Sequence, residues 1–362
     1  MSIELKLDSK KVERLETFLN SKTYTDIDSN DITQSPYWIN QNSKIMFDIN
    51  QNGNITIDGS AGFYIPGNKW KKFLNTIISD PFRSFTIIKN RLQPIFQVPR
   101  YLPYSRAIDA VMNQKPISDP ELSPYRVNHL SLKKIPKVLP DYRAICSHYK
   151  SWSKRTANWN VICHYYYSNL LRGYISNNDV KTVLEIGPGN GNFPSIIFND
   201  WLPDQIILID LPKMIPITFS YLSSLFPSAR IILPNEVDRA GGVPNDFDFI
   251  LITPKQIEIV HNDSIDLAIN ISSFQEMIIE QIDVYFEFVQ KVVRKSGYFF
   301  SVNRIEKIPA GDDPHNNEQT SPPNRFFEYP WNDKNNILIN EVSRLHRLVQ
   351  ADGSGIRLEQ IN

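Results

Sequence analysis

Cysteine is scarce: Cys146 and Cys163 are the only two in 362 residues. That is too few for a disulfide framework or a thiolate zinc site, and both lie in aromatic, helix-forming sequence, so both read as buried thiols. Neither sign of charge dominates, with Lys plus Arg and Asp plus Glu at 39 each. Without a net field the chain has no general means of attracting nucleic acid or acidic lipid. No apolar run approaches the roughly 18 residues of a membrane span. Residues 1–20, broken by Glu4, Lys6, Asp8, Lys10 and Lys11, also lack the apolar segment of a secretory signal. The expected location is the cytoplasm. Internal repeats and low-complexity tracts are missing too. What remains is an ordinary globular composition, 41% hydrophobic and 22% charged, with length for about two domains.

Proline punctuates the first part of the chain, at Pro36, Pro66, Pro81, Pro94, Pro99, Pro103, Pro116, Pro120 and Pro124, so nothing long and regular is expected there. Within it, Lys44–Ile49 and Asn54–Asp58 alternate apolar and polar residues around Asn52-Gly53, which predicts a β-hairpin. Helical spacing over Lys69–Ile78 and Phe82–Leu92 predicts two short helices. Residues 1–125 therefore read as an accessory or lid region of α+β character. Residues 126–180 form a helical lead-in, aromatic from Tyr142 to Ile175. Residues 181–362 change pattern again. Short β-branched runs at 182–186, 205–209, 230–233, 247–253, 266–271 and 298–302 alternate with helical stretches at 193–201, 214–226 and 278–295, the last capped by Gly297. A helix at 337–345 and a hairpin of 346–350 with 356–361, turned at Asp352-Gly353, complete the reading. The fold class is α/β: a Rossmann-like, doubly wound sheet with an antiparallel C-terminal hairpin.

The most informative stretch runs Glu185-Ile186-Gly187-Pro188-Gly189-Asn190-Gly191-Asn192 out of a buried strand and into a helix. Alternate glycines let backbone turn tightly and approach a ligand, and the helix start offers free N–H groups. A dinucleotide fingerprint places its third glycine one residue later, where this chain has Asn192. Glu185 suits a ligand with a cation near the loop, such as S-adenosylmethionine. The next strand ends in Asp210-Leu211, where a carboxylate can accept from two ribose hydroxyls. The order strand, Glu-x-Gly-x-Gly-x-Gly, helix, strand ending in Asp resembles class I S-adenosylmethionine-dependent methyltransferases.

A narrower resemblance lies in Asp266-Leu267-Ala268-Ile269-Asn270-Ile271-Ser272-Ser273-Phe274-Gln275-Glu276-Met277 and in Tyr298-Phe299-Phe300-Ser301-Val302-Asn303-Arg304. Together with Tyr165–Asn169 and Asp210-Leu211-Pro212, these segments are similar to a family of sugar O-methyltransferases. The likeness covers about residues 142–331. It implies methyl transfer from S-adenosylmethionine to a hydroxyl of a sugar or glycan precursor. Pro188 departs from the usual loop by removing one N–H donor. A natural-product or protein acceptor, or a non-catalytic methyltransferase-like binding module, are the alternatives. The expected partner is a small-molecule or glycan acceptor, with no nucleic acid and no membrane span, and with room for a homodimer.

In a doubly wound sheet the reacting atoms lie beyond the carboxyl ends of the strands. That points to Asn270, Ile271 and Ser272 at the cofactor and to Ser273, Gln275, Asn303 and Arg304 at the acceptor. Glu276 is the first candidate for the general base, against a bland role charging the following helix. His261 is the second, although it precedes its strand rather than following it. The adenine edge is left open: Thr253 and Gln256 serve if 249–253 is the third strand, Asn235 if 231–233 is. Trp152, Arg155 and Tyr166 cover the cofactor or simply pack in the core. Asp312, Asp313, His315 and Glu318 read as a solvated loop rather than a metal site.

Overall fold

The parallel strands expected after residue 180 come together in one eight-stranded sheet, in a computed structural model that describes residues 2–25, 46–50, 54–58, 138–155, 157, 159–307, 324–345 and 353–362. The strands are β4 (Thr182–Ile186), β5 (Gln205–Ile209), β6 (Ile231–Ile232), β7 (Phe249–Ile252), β8 (Ile265–Ile271), β9 (Val293–Arg304), β12 (Asn336–Val342) and β13 (Ser354–Gln360). Their spatial order is β12-β13-β9-β8-β4-β5-β7-β6. From β6 to β9 all neighbours are parallel, whereas β13 runs antiparallel to β9 and β12 antiparallel to β13. The chain starts at β4, moves outward through β5 and β7, then returns to β8 on the other side. That reversal opens a crevice at the carboxyl ends of β4 and β8.

Strands buried on both faces read as continuous apolar runs, and Ile206 through Ile209 and Phe249 through Ile252 do so. Val183, Leu208 and Ile269 face one core with α3 (Tyr142–Ser153), α4 (Trp159–Arg172), α5 (Asn192–Trp201) and α6 (Ile215–Leu225). Leu184, Ile207 and Ala268 face the other, with α7 (Pro234–Ala240) and α8 (Ile279–Val292). Two short strands, β10 (Glu306–Lys307) and β11 (Asn324–Arg325), pair antiparallel.

At the N-terminus, β1 (Ser2–Lys6), α1 (Ser9–Leu19), α2 (Lys22–Thr25), β2 (Met46–Ile49) and β3 (Asn54–Asp58) form a three-stranded sheet with two helices. The paired β2 and β3 are the strands of the expected hairpin; its Asn52-Gly53 turn lies outside the described residues, as do 69–78, 82–92, 308–323 and 346–352. An eleven-residue α1 was not expected. Its start is set by Asp8, whose carboxylate accepts from Lys11 N at 2.9 Å.

Two C-terminal expectations are corrected. Residues 336–342 are strand β12, not a helix, because Ile337, Ile339 and Val342 register against Glu359, Leu358 and Gly355 of β13. Gly297 does not cap α8. The helix ends at Val292 and Gly297 lies within β9, where an added Cβ would sit 2.7 Å from Val293 Cγ1 and 2.8 Å from Arg294 O. Of the thiols, Cys163 is buried and Cys146 half-buried.

Candidate active site

The loop after β4 is shaped from both sides. Gly187 (φ +71°) lies under the loop that follows β8: a Cβ there would come within 2.1 Å of Ser273 Oγ and 2.4 Å of Ser273 Cβ. Gly189 (φ +57°) has open space where its Cβ would be, donates N–H to Asp210 Oδ2 at 2.9 Å and accepts from Thr218 Oγ1 at 2.6 Å. Pro188 is buried between these two half-exposed glycines, and Gly191 packs against Thr218 and Leu222 of α6. Asn190 and Asn192 turn inward. Asn190 Oδ1 accepts from Asn192 N at 3.1 Å just before α5, and Asn192 Oδ1 accepts from Tyr221 OH at 2.5 Å.

Two carboxylates lie beside this loop. Glu185 lies between Leu184 and Ile186 in the buried part of β4, and its Oε2 is buried with no hydrogen-bond partner. Burial holds its acid well above the ordinary range, helped by the neighbouring Asp210 charge. Asp210 is buried at the tip of β5, with Leu211 N donating to Oδ1 at 2.8 Å. Burial raises it to about 7, against the lowering effect of the Leu211 and Gly189 N–H groups and with a further push from Glu276. The Tyr285 phenol on α8, also raised by burial, feels the Asp210 charge. Sequence reasoning missed Tyr285, because helical spacing marks it only as core.

Beyond β8 the backbone turns sharply at Ser272 (φ +59°), whose N–H donates to Val302 O at 2.7 Å. Ser272 is exposed, Ile271 and Ser273 half-buried. Three residues expected at the ligands face one another instead. Asn303 Nδ2 donates to Asn270 Oδ1 at 2.8 Å and to Ser301 Oγ at 3.0 Å; Asn270 Nδ2 donates to Ile186 O at 3.0 Å. Gln275 N donates to Asn303 Oδ1 at 3.1 Å, and Gln275 Oε1 accepts from Arg304 N at 2.8 Å. Buried amides this well satisfied fix the Ser272–Glu276 turn onto β4 and β9. Glu276 ends a 3₁₀ turn separate from α8, so it does not charge that helix; it lies 3.4 Å from the buried ammonium of Lys307. Arg304 is half-buried at the end of β9. His261 is exposed at the amino end of β8, across the sheet from the crevice, with its carbonyl accepting from Ser264 Oγ. The structure does not bring it to the site.

On the other side of the crevice the neighbour of β5 is β7, and β6 lies one strand further out. Thr253 therefore follows the β7 residue paired beside Asp210, and Gln256 is held to it; both are buried, and Gln256 Oε1 accepts from Thr253 N at 2.9 Å. Asn235, at the start of α7, is also buried, and its Oδ1 has no partner. The lead-in aromatics pack. Trp152 stacks on Phe226 at 5.7 Å, Arg155 lies 4.8 Å over Tyr221, and Tyr166 contacts Tyr167. Among the described residues no group of His, Cys, Asp and Glu is arranged to hold a metal, and no helix is long and apolar enough to cross a membrane.

No protein-family model matches this chain, and no curated protein matches it. Solved structures that share parts of its architecture include an S-adenosylmethionine dependent methyltransferase from Mesorhizobium loti, 16% identical, over 38% of this chain and 52% of that one, TM-score 0.25. A SAM dependent methyltransferase from Aquifex aeolicus is 12% identical over 54% and 89%, TM-score 0.32. The [4+2]-cyclase SpnF is 12% identical over 64% and 95%, TM-score 0.38. In the first of these the chain spans about half the solved chain's length. At such low scores the likenesses carry no argument about activity, and a fold does not by itself name a chemistry.

Proposed function

We propose that this chain binds S-adenosylmethionine in the crevice at the ends of β4 and β5 and transfers its methyl group to a hydroxyl of a sugar or glycan precursor. One observation carries the cofactor reading: Glu185 Oε2 is buried without a partner on the strand that enters the glycine loop, and Asp210 holds Gly189, which has open space beside its α-carbon. A buried carboxylate oxygen without a donor is costly unless a cationic or donor group completes it. The ammonium of the cofactor suits Glu185, and ribose hydroxyls suit Asp210. Its adenine would lie toward Thr253, Gln256 and Asn235, which supports Asn235 as a contact beside the β7 residues. When bound, the cofactor supplies an electrophilic methyl group.

The chain's own groups then do the rest. The inward amide network of Asn270, Gln275 and Asn303 holds the Ser272–Glu276 turn in place, and placement alone lowers the barrier to displacement. Glu276, close enough for its charge to push up Asp210, is the group that takes the proton from the acceptor hydroxyl in this reading. Lys307 holds the Glu276 carboxylate in position. Exposed Ser272 and half-buried Ser273 are the polar groups offered to the acceptor. The sugar assignment rests on the resemblance of residues 142–331 to sugar O-methyltransferases.

Calorimetry with S-adenosylmethionine and with NAD tests the cofactor reading. Binding of the first alone is expected, weakened by about 1–3 kcal/mol in Asp210→Ala through loss of a charged acceptor. NAD binding, or an unaffected Asp210→Ala variant, would overturn it.

A further inference from the structure

Every motif read from the sequence for the cofactor lies after residue 180, which invites the view that the N-terminal elements serve the acceptor. Their contacts point elsewhere. β1 lies against α6, and α2 against α7, on the β7 side of the crevice. Arg14 of α1 grips Glu236 of α7 with two bonds of 2.7 and 2.6 Å and donates to Ile231 O at 2.5 Å. Lys11 Nζ donates to Pro227 O at 2.7 Å. Thr23 Oγ1 of α2 donates to Asp238 Oδ2 at 2.8 Å.

Asp238 is the connection. Its second oxygen, Oδ1, accepts from Gln256 Nε2 at 2.5 Å, and the same Nε2 donates to Pro234 O at 3.0 Å. The other end of that amide, Oε1, accepts from both N–H and Oγ1 of Thr253, at 2.9 and 3.1 Å. With both ends engaged, the Gln256 amide cannot turn over without breaking bonds at each. Glu236 and Asp238 face the N-terminal helices, while Asn235, just before them on α7, is buried with Oδ1 unpartnered.

We propose that the N-terminal element is a positioning device for the cofactor's base: Thr23, acting through Asp238, sets Gln256 and with it the Thr253 end of β7 and the Asn235 acceptor. Thr23 and Asp238 are positioning residues and touch no ligand. The inference rests on the reading that this end of the crevice receives adenine. Asn235 Oδ1, a bare acceptor, favours a 6-amino purine over its 6-oxo counterpart, so the relay maintains selectivity for the base as well as affinity.

The test is calorimetry on the full chain with S-adenosylhomocysteine and S-inosylhomocysteine, alongside thermal unfolding of each variant. Thr23→Val, close in shape, is expected to weaken S-adenosylhomocysteine binding about five- to tenfold, the effect of one hydrogen bond. Asp238→Ala should do more. In both, the preference for the amino over the oxo base should narrow, and Thr23→Ser should restore it. General loosening of the fold would instead lower both affinities together and leave their ratio unchanged, which overturns the relay. No binding of either ligand by the wild type removes the cofactor reading and the relay with it. Tight wild-type binding that Thr23→Val and Asp238→Ala leave untouched removes the relay alone.

Discussion

Gly187 and Gly189 both adopt left-handed backbone, but for different reasons. At Gly189 the space beside the α-carbon is empty, and only the φ of +57° demands glycine. At Gly187 the space is taken by Ser273. Gly187→Ala should therefore lose roughly 1–3 kcal/mol from backbone strain, plus the displacement of the Ser272–Glu276 turn. A double variant with Ser273→Gly should recover the second part and not the first, seen as a coupling of about 0.5–3 kcal/mol in urea unfolding. Additive losses would show that the two loops do not press on each other. Glu185 and Asp210 make a second residue-scale prediction. Asp210 moves from an ordinary value of 3.8 to about 7 in the folded chain. The folded chain thus keeps a proton that the unfolded chain has released. This contribution to stability is complete below about pH 4, falls by about 4 kcal/mol as pH rises to 7, and is level above that. A ligand that needs the ionised pair reverses the sign. Below pH 7 the Asp210 proton alone should lower cofactor affinity by up to about tenfold per pH unit, and the Glu185 proton, held by burial well above the ordinary range, should steepen that fall. Calorimetry at pH 6 in two buffers of different ionisation heat should show about one to two protons released by the coupled pair. Buffer-independent heats would refute this.

Elements carry the next set of consequences. β13 sits between β9 and β12, and it holds a buried ion pair that no periodicity announces: Arg357 Nε donates to Glu359 Oε1 at 2.7 Å, with its guanidinium 4.5 Å over the Trp331 ring. Asn335 Nδ2 completes Glu359 at Oε2, 2.9 Å away. Arg357→Met leaves a fully buried carboxylate with a single neutral donor and should cost about 3–5 kcal/mol in urea unfolding. Arg357→Met with Glu359→Leu should regain most of it, since a well-packed apolar pair is often as stable as the ions. If the double variant is no better than the single, shape rather than charge sets the stability of β13. The turn after β8 gives the catalytic prediction. Glu276→Gln keeps size and hydrogen bonding, so cofactor affinity should hold while turnover falls roughly 100- to 10,000-fold. His261→Ala, at the far end of β8, should change neither. Near-normal turnover in Glu276→Gln would remove it as the base.

At the scale of the whole molecule, the N-terminal elements and the sheet share one apolar core. Leu5, Leu7, Leu15, Phe18 and Ile55 pack in the same cluster as Phe193, Phe219 and Leu208. A chain starting near residue 125 would expose that surface and lose Arg14 from Glu236. Such a fragment should unfold at a lower temperature than the full chain, by about 2–4 °C for each kcal/mol lost. A fragment with unchanged melting and full cofactor affinity would show that these elements are a separable module.

Local chemistry was readable without a fold. The glycine loop, the carboxylate at the tip of β5 and the apolar runs of the parallel strands all follow from neighbours within a few residues, because backbone φ, helix starts and strand burial are set over that range. Even the turn that opens α5 lies in the motif itself, where Asn190 accepts from Asn192 N. Tertiary structure decided what those groups face. Asn270, Gln275 and Asn303 have the composition of a substrate site, yet pairing across 28 to 33 positions turns them on one another. Residues 336–342 have no intrinsic reason to be a strand until β13 offers its ladder. Thr23 and Asp238 meet across 215 positions, a contact that only the packing of α2 on α7 creates. A hydrogen bond between distant residues leaves no local pattern, because its two halves are brought together by the burial of other side chains.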